Sequence, residues 1–326
     1  MKKYNCLVPL IQIIILVNTS TGTAQKMMET ETISKNYSLQ NNYLRLEVAS
    51  KGAEMTSLKS EKIEYLWQAD PEFWPRHAPI LFPIVGRLVD HEYIFQGETY
   101  RMKQHGFARD NEFRLIGQTP NSLTFEQKST QASKKIYPFD FVLQVKYTLD
   151  GKKIIVSYTV KNPSEKERLY FSIGAHPAFN CPFIAEQQRN AYELVFDKKE
   201  APESEAKING MRINKTDKVF EEPGRFTISD NLFDDDALIF SPNPFSEVTF
   251  VYKPTQKKYL RVRFHNFPYL GIWSAKSESV TPFVCIEPWY GITDRADHNK
   301  QLLEKEGLIK LEPQQTFNCS FTIETY

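Results

Sequence analysis

From residue 40 onward, hydrophobic and polar positions alternate in short runs. In "NNYLRLEVAS", Leu44, Leu46 and Val48 fall on one face of an extended segment while Arg45 and Glu47 take the other, the period of two of a half-buried strand. The run "FVLQVKYTLDGKKIIVSYTV" repeats this twice. Phe141, Leu143, Val145, Tyr147 and Leu149 share one face, Asp150-Gly151 marks a tight turn, and Ile154, Val156, Tyr158 and Val160 continue the apolar face on the way back. Leu260, Val262 and Phe264 predict a further strand, as do Phe317, Cys319, Phe321 and Ile323 near the C-terminus. No long segment carries a helical period; a short helix is expected around Asn299–Glu304, and the Lys/Glu-rich stretch from Asp197 to Asn214 reads as a long loop. The pattern therefore predicts an all-β chain, built as one large antiparallel β-sandwich over residues 36–326, with function gathered where irregular loops meet strand ends.

The N-terminus breaks the pattern. Lys2 and Lys3 precede an apolar run from Cys6 to Val17, followed by small polar residues with Gly22 and Ala24 at cleavage-site positions, so residues 1–24 predict a secretory signal peptide. The run is too short for a membrane span, and the mature protein is expected in the periplasm or outside the cell, free of the membrane. A start at Met28 would instead leave it in the cytoplasm. Three cysteines remain after cleavage (Cys181, Cys285 and Cys319), an odd number that excludes a fully paired disulfide framework.

Composition narrows the partners. The 326 residues carry 41 basic and 40 acidic side chains, interspersed, with a net charge of +1. That balance gives no electrostatic footprint for nucleic acid or a membrane surface, so a small neutral or weakly charged ligand is expected. The 23 Phe and 16 Tyr suit packed sheets and also supply flat faces on which sugar rings stack.

Four segments depart from ordinary strand or turn sequence: "PILFPIVGRLVD" (79–90), "KQHGFARDNEF" (103–113), "SIGAHPAFNCPF" (172–183) and "VCIEPWYGITD" (284–294). Each sets an ionisable group among Gly, Pro and aromatics: Arg87, His105 with Arg109, His176, and Glu287. Burying such groups is costly unless they are paired or used. His176, where Pro177 ends a strand, suits general acid or base work near neutral pH. Glu287, at a buried strand end beside Trp289, is expected to have its pKa raised by desolvation unless a cation such as Arg87 offsets it. Read singly, each also fits a structural role, His176 as a core histidine bonded to a carbonyl and Glu287 as an arginine-paired acid.

Together they favour one kind of sugar chemistry. Glycoside hydrolysis normally calls for two carboxylates about one bond, and here the conspicuous set is one carboxylate and two histidines. Interconverting sugar anomers needs only a base at the C1 hydroxyl and an acid at the ring oxygen, with no metal or organic cofactor; nor does the sequence offer Cys/His zinc spacing or a phosphate-binding glycine loop. In order and spacing, "FPIVGR", "HGFAR", "GAHPAF" and "EPW" resemble the aldose 1-epimerase (galactose mutarotase-like) family over roughly residues 36–326. The resemblance implies a β-supersandwich with a sugar in a cleft on its concave face. It implies Glu287 as general base, His176 as general acid, His105 at the ring oxygen, Arg87 on sugar hydroxyls with Arg109 nearby, and one Asp of "LFDDDALIF", taken as Asp236, on sugar hydroxyls. The predicted signal peptide favours a free hexose such as glucose or galactose, since an exported enzyme meets few sugar phosphates, and a monomer or weak homodimer is expected. Relatives that take hexose 6-phosphates, and a non-catalytic sugar-binding protein of the same fold, are the rival expectations.

Overall fold

The computed structural model describes residues 34–326 except residue 278; the predicted signal peptide lies outside the described residues. The alternating runs form antiparallel ladders. Nine strands make one sheet, in the order Arg225–Thr227, Tyr192–Phe196, Glu247–Tyr252, Lys257–Arg263, Thr316–Thr325, Lys153–Lys161, Val142–Asp150, Ser122–Lys128 and Arg114–Thr119. At its centre the predicted hairpin pairs Leu149 with Ile154, Tyr147 with Val156, Val145 with Tyr158 and Leu143 with Val160. Those side chains are buried, so the predicted apolar face is the inner one. The connection is Gly151-Lys152, with Asp150 the last paired residue.

A second, six-stranded sheet faces the first. Its path is Leu238–Phe240, Tyr269–Trp273, Phe283–Tyr290, Ile173–Ala175 and Ile80–Leu81, with Ala178–Asn180 also paired to Phe283–Tyr290. Aromatic contacts join the layers: Phe179 meets Phe250, and Tyr290 meets Phe317. A small three-stranded sheet, Asn36–Gln40, Arg45–Ala49 and Met55–Lys59, packs at one side, where Tyr37 sits edge-on to Phe125 and the Tyr147 hydroxyl donates to the Ala53 carbonyl at 2.7 Å.

The strand Phe283–Tyr290 positions the site. Val284 and Ile286 point into the inter-sheet core, while Phe283, Cys285 and Trp289 belong to separate apolar clusters on the opposite face. Both faces are covered, so the strand reads as a continuous apolar run.

Two expectations are corrected. The stretch Asp197–Asn214 is no long loop: Ser204–Ile208 and Met211–Asp217 form a hairpin. Its turn residues, Asn209 (φ 52°) and Gly210 (φ 75°), take the left-handed conformations that an Asn-Gly hairpin turn requires. The positions the ribbon buries are Ser204, Glu205, Ala206 and Arg212, mostly polar, so it carries no apolar alternation to betray it. The helix expected at Asn299–Glu304 contracts to one 3-10 turn, Leu302–Glu304.

Candidate active site

Glu287 projects from the second face of the Phe283–Tyr290 strand and is only 1% exposed. The strands on either side present glycines to its neighbour two residues on. Gly271 stands opposite Glu287 and Gly174 opposite Trp289. A Cβ on Gly174 would fall 2.6 Å from Trp289 Cδ1, and one on Gly271 would overlap the six-membered ring. The indole therefore lies flat across three strands, where any side chain larger than hydrogen would displace it.

His176 reaches the carboxylate through a break in the adjacent strand. Ile173–Ala175 and Ala178–Asn180 both pair with Phe283–Tyr290, in the same register, and His176-Pro177 interrupts them opposite Glu287. Pro177 has no N–H to give, and its carbonyl accepts from Ile286 N at 3.2 Å. The interruption turns His176 out of the ladder, placing Nε2 3.2 Å from Glu287 Oε2. Trp74 stacks on the imidazole at 4.8 Å, and Trp273 and His105 each meet it edge-on at 5.5 Å.

A cavity of about 310 Å³ opens onto this pair, within the range of small-ligand sites. Its lining includes Arg87, His105, Arg109, His176, Asp236 and Glu287, so the structure brings all six residues singled out in the sequence around one space. Of the three consecutive aspartates, only Asp236 lines it, with a left-handed backbone (φ 74°). His105 also has positive φ (66°), its Nδ1 accepts from Gly86 N–H at 3.1 Å, and its Nε2 lies 3.1 Å from Gln104 Nε2. A larger groove of about 620 Å³ near Phe107 and Ile136 gathers none of these groups.

Sequence reasoning missed several lining residues. Trp74 and Arg76 come from an irregular segment, Trp273 from a strand that reads as core, and Lys207 and Gly210 from the unrecognised hairpin. Asn209-Gly210 in "KINGMR" was the signal for that hairpin. The cation expected to offset Glu287 is also different. Arg87 binds Gln104 Oε1 at 3.2 Å and the Asn209 carbonyl at 3.4 Å, whereas Arg109 is the cation whose charge favours ionised Glu287.

Burial dominates the electrostatics. It pushes the Glu287 carboxyl well above its usual range, aided by the Asp236 charge and opposed by the Trp289 indole and by Arg109. Burial, then Arg109 and Arg76, push His176 down to about 3. His105 is likewise held well below its ordinary value by burial, then by His176 and Arg109. Arg109 itself is lowered to about 10, chiefly by burial. Four buried polar atoms in the cavity wall have no hydrogen-bond partner among the described residues: Arg109 Nε, His176 Nδ1, Glu287 Oε2 and Trp289 Nε1. Orphans of this kind are expensive in a finished core, and their convergence on one cavity equips it for a polar ligand.

The same architecture recurs in known proteins. Residues 35–307 match the family model described as aldose 1-epimerase. The chain is 34% identical over 294 residues to the protein LacX, chromosomal, of Lactococcus lactis, covering 87% of this chain and 97% of that one. Among solved structures, a galactose mutarotase related enzyme from Lactobacillus acidophilus superposes with a TM-score of 0.83 at 34% identity, over 90% of this chain and 97% of that one. A galactose mutarotase-like protein from Lactobacillus casei also gives 0.83, at 29% identity, over 90% and 100%.

The flat seat of Trp289 generates a prediction. Gly271→Ala forces a methyl into the indole and should cost about 1–3 kcal/mol, read as a fall in thermal midpoint together with a changed Trp fluorescence. Gly117→Ala, whose Cβ would meet Thr124 at 3.6 Å, is the strand-glycine control and should leave both unchanged.

Proposed function

Because the chain belongs to the aldose 1-epimerase family and is thus a carbohydrate isomerase, we propose that it interconverts the α and β anomers of a free hexose such as glucose or galactose. One observation carries this reading: a carboxyl and an imidazole 3.2 Å apart, both buried, at the wall of a sugar-sized cavity. A binding protein has no need of such a pair.

Burial raises the Glu287 pKa and lowers that of His176, so it favours the protonated carboxyl beside the neutral imidazole before a sugar binds. A pyranose whose C1 hydroxyl donates to Glu287 and whose ring oxygen accepts from His176 stabilises the other arrangement, carboxylate and imidazolium, with Arg109 supporting the charge on Glu287. Glu287 then takes the C1 hydroxyl proton while His176 protonates the ring oxygen. The C1–O5 bond breaks, the aldehyde turns about C1–C2, and the ring closes on its other face with both protons returned. The raised pKa makes Glu287 the stronger base once ionised, and the lowered one makes His176 the stronger acid once protonated. His105 supports the ring oxygen, and Arg87 and Asp236 hold hydroxyls. We further propose that the protein works outside the cytoplasm as a monomer or weak dimer; among the described residues no helix is long and apolar enough to cross a membrane.

A specific observation supports a second reading. Arg87, Arg109 and Lys207 line the cavity yet bind only amide and carbonyl oxygens among the described residues, with no carboxylate in ion-pair reach. Three such cations suit a sugar that carries an anionic group, as in a hexose 6-phosphate.

Polarimetry on freshly dissolved α-glucose and α-galactose should show Glu287→Gln and His176→Asn each lowering kcat by ~10²–10⁴; wild-type rates in both would overturn these roles. The pH dependence of kcat/KM follows from the pKa directions. Because His176 is pushed down to about 3, the pair gains a second proton only near that pH, so activity should persist at pH 5, where an ordinary histidine of pKa 6.5 would be protonated. On the alkaline side activity falls only as pH passes the raised Glu287 value. Anomer exchange followed by NMR decides between substrates: acceleration for glucose but not glucose 6-phosphate, with no competition from inorganic phosphate, is expected, and the reverse pattern selects the second reading.

A further inference from the structure

Cys285 takes no part in the chemistry above, yet it lies beside it. It sits two residues from Glu287 on the same face of the Phe283–Tyr290 strand, opposite Ala178 and Trp273 in the flanking ladders. The break at His176-Pro177 swings the imidazole over both residues. One donor atom each from His176, Cys285 and Glu287 lies within 4.8 Å of the other two, and all three residues are buried. We propose that this cluster is a binding site for a soft divalent cation of the Zn²⁺ type, and that its occupation blocks the catalytic pair.

Three features support it. The donors are one nitrogen, one sulfur and one oxygen, each of a type that zinc binds at about 2.0–2.3 Å, and with the three within 4.8 Å of one another modest side-chain rotation closes the cluster around an ion. Glu287 Oε2 has no hydrogen-bond partner among the described residues, and His176 Nε2 faces it, so spare lone pairs already converge. The surroundings are dry on the Cys285 side, where Trp67, Trp74, Trp273 and Phe283 form an apolar wall, while the cavity side offers the entry path and a fourth position for water.

Charge balances. One thiolate, one carboxylate and a neutral imidazole neutralise M²⁺, the thiol releasing its proton on binding, so no net charge is buried. The sequence conceals the site because its donors lie in two distant segments and Cys285 reads as part of an apolar strand. Metal binding stands on geometry alone; its inhibitory consequence rests on the proposed epimerase reading.

The test uses the full chain. Titration with Co²⁺, a spectroscopic stand-in for Zn²⁺, should saturate near about one equivalent and produce a near-ultraviolet thiolate-to-cobalt charge-transfer band that added Zn²⁺ bleaches. Cys285→Ser and Cys285→Ala, each shown by thermal melting to be folded, should lose the band and bind Zn²⁺ at least ~10-fold more weakly, while Cys181→Ser keeps both. No band in the wild type, or a band that persists in either folded Cys285 variant, overturns the site. In the mutarotation assay Zn²⁺ should inhibit competitively with sugar. Full activity at saturating Zn²⁺ overturns the blocking role, whereas metal binding in a protein that never accelerates mutarotation overturns the epimerase reading and leaves the metal site standing.

Discussion

A carboxyl held 1% exposed on a strand covered on both faces is the constraint around which the rest of this molecule is arranged. Ionised and alone, Glu287 would cost several kcal/mol of lost hydration. The fold meets that cost by giving the group a proton and a partner. Desolvation favours the protonated carboxyl, the same desolvation favours neutral His176, and that arrangement buries no net charge. Arg109 supplies the field that favours the charged form without forming an ion pair with it. The two groups are thus poised rather than satisfied, as the unpartnered Oε2 and Nδ1 record.

Two local departures from ideal sheet structure make this arrangement possible. Pro177 breaks the strand beside Glu287 and frees the imidazole from the ladder, and Gly174 and Gly271 leave room for the Trp289 ring to lie flat against the sheet. Both would weaken an isolated strand. They are tolerated because stability is secured elsewhere, in the long in-register ladders of the nine-stranded sheet and the aromatic contacts between layers. One sheet supplies the rigidity; the other, shorter and irregular, supplies the site.

Much of this was legible in the sequence, and the failures have physical causes. The hairpin around Gly151 was readable because its alternation records a buried and an exposed face, and the four odd segments stood out because polar groups among Gly, Pro and aromatics conflict with ordinary burial. The hairpin bearing Lys207 was not readable by the same signal, since the positions it buries, Ser204, Glu205, Ala206 and Arg212, are mostly polar and make no apolar face; only Asn209-Gly210 marked it. Trp74 and Trp273 carried no signal of their own, because an aromatic lining a cavity and one filling a core are alike along the chain. Arg87 was the expected counter-charge to Glu287, and Arg109 holds that place. Distance along the sequence carries no information about which of two loop arginines comes nearer.

The sequence by itself determined the all-β class, the strand faces and the candidate chemical groups, because periodicity and burial cost are local properties that each residue carries with its neighbours. The tertiary structure alone decided which groups meet. It set His176 opposite Glu287 through a shared register on either side of a proline break, chose Asp236 among three consecutive aspartates, and brought Cys285 within reach of both. Those choices depend on strand pairing and sheet packing between distant segments, and the strengths of the resulting charges depend on how completely the assembled fold excludes water.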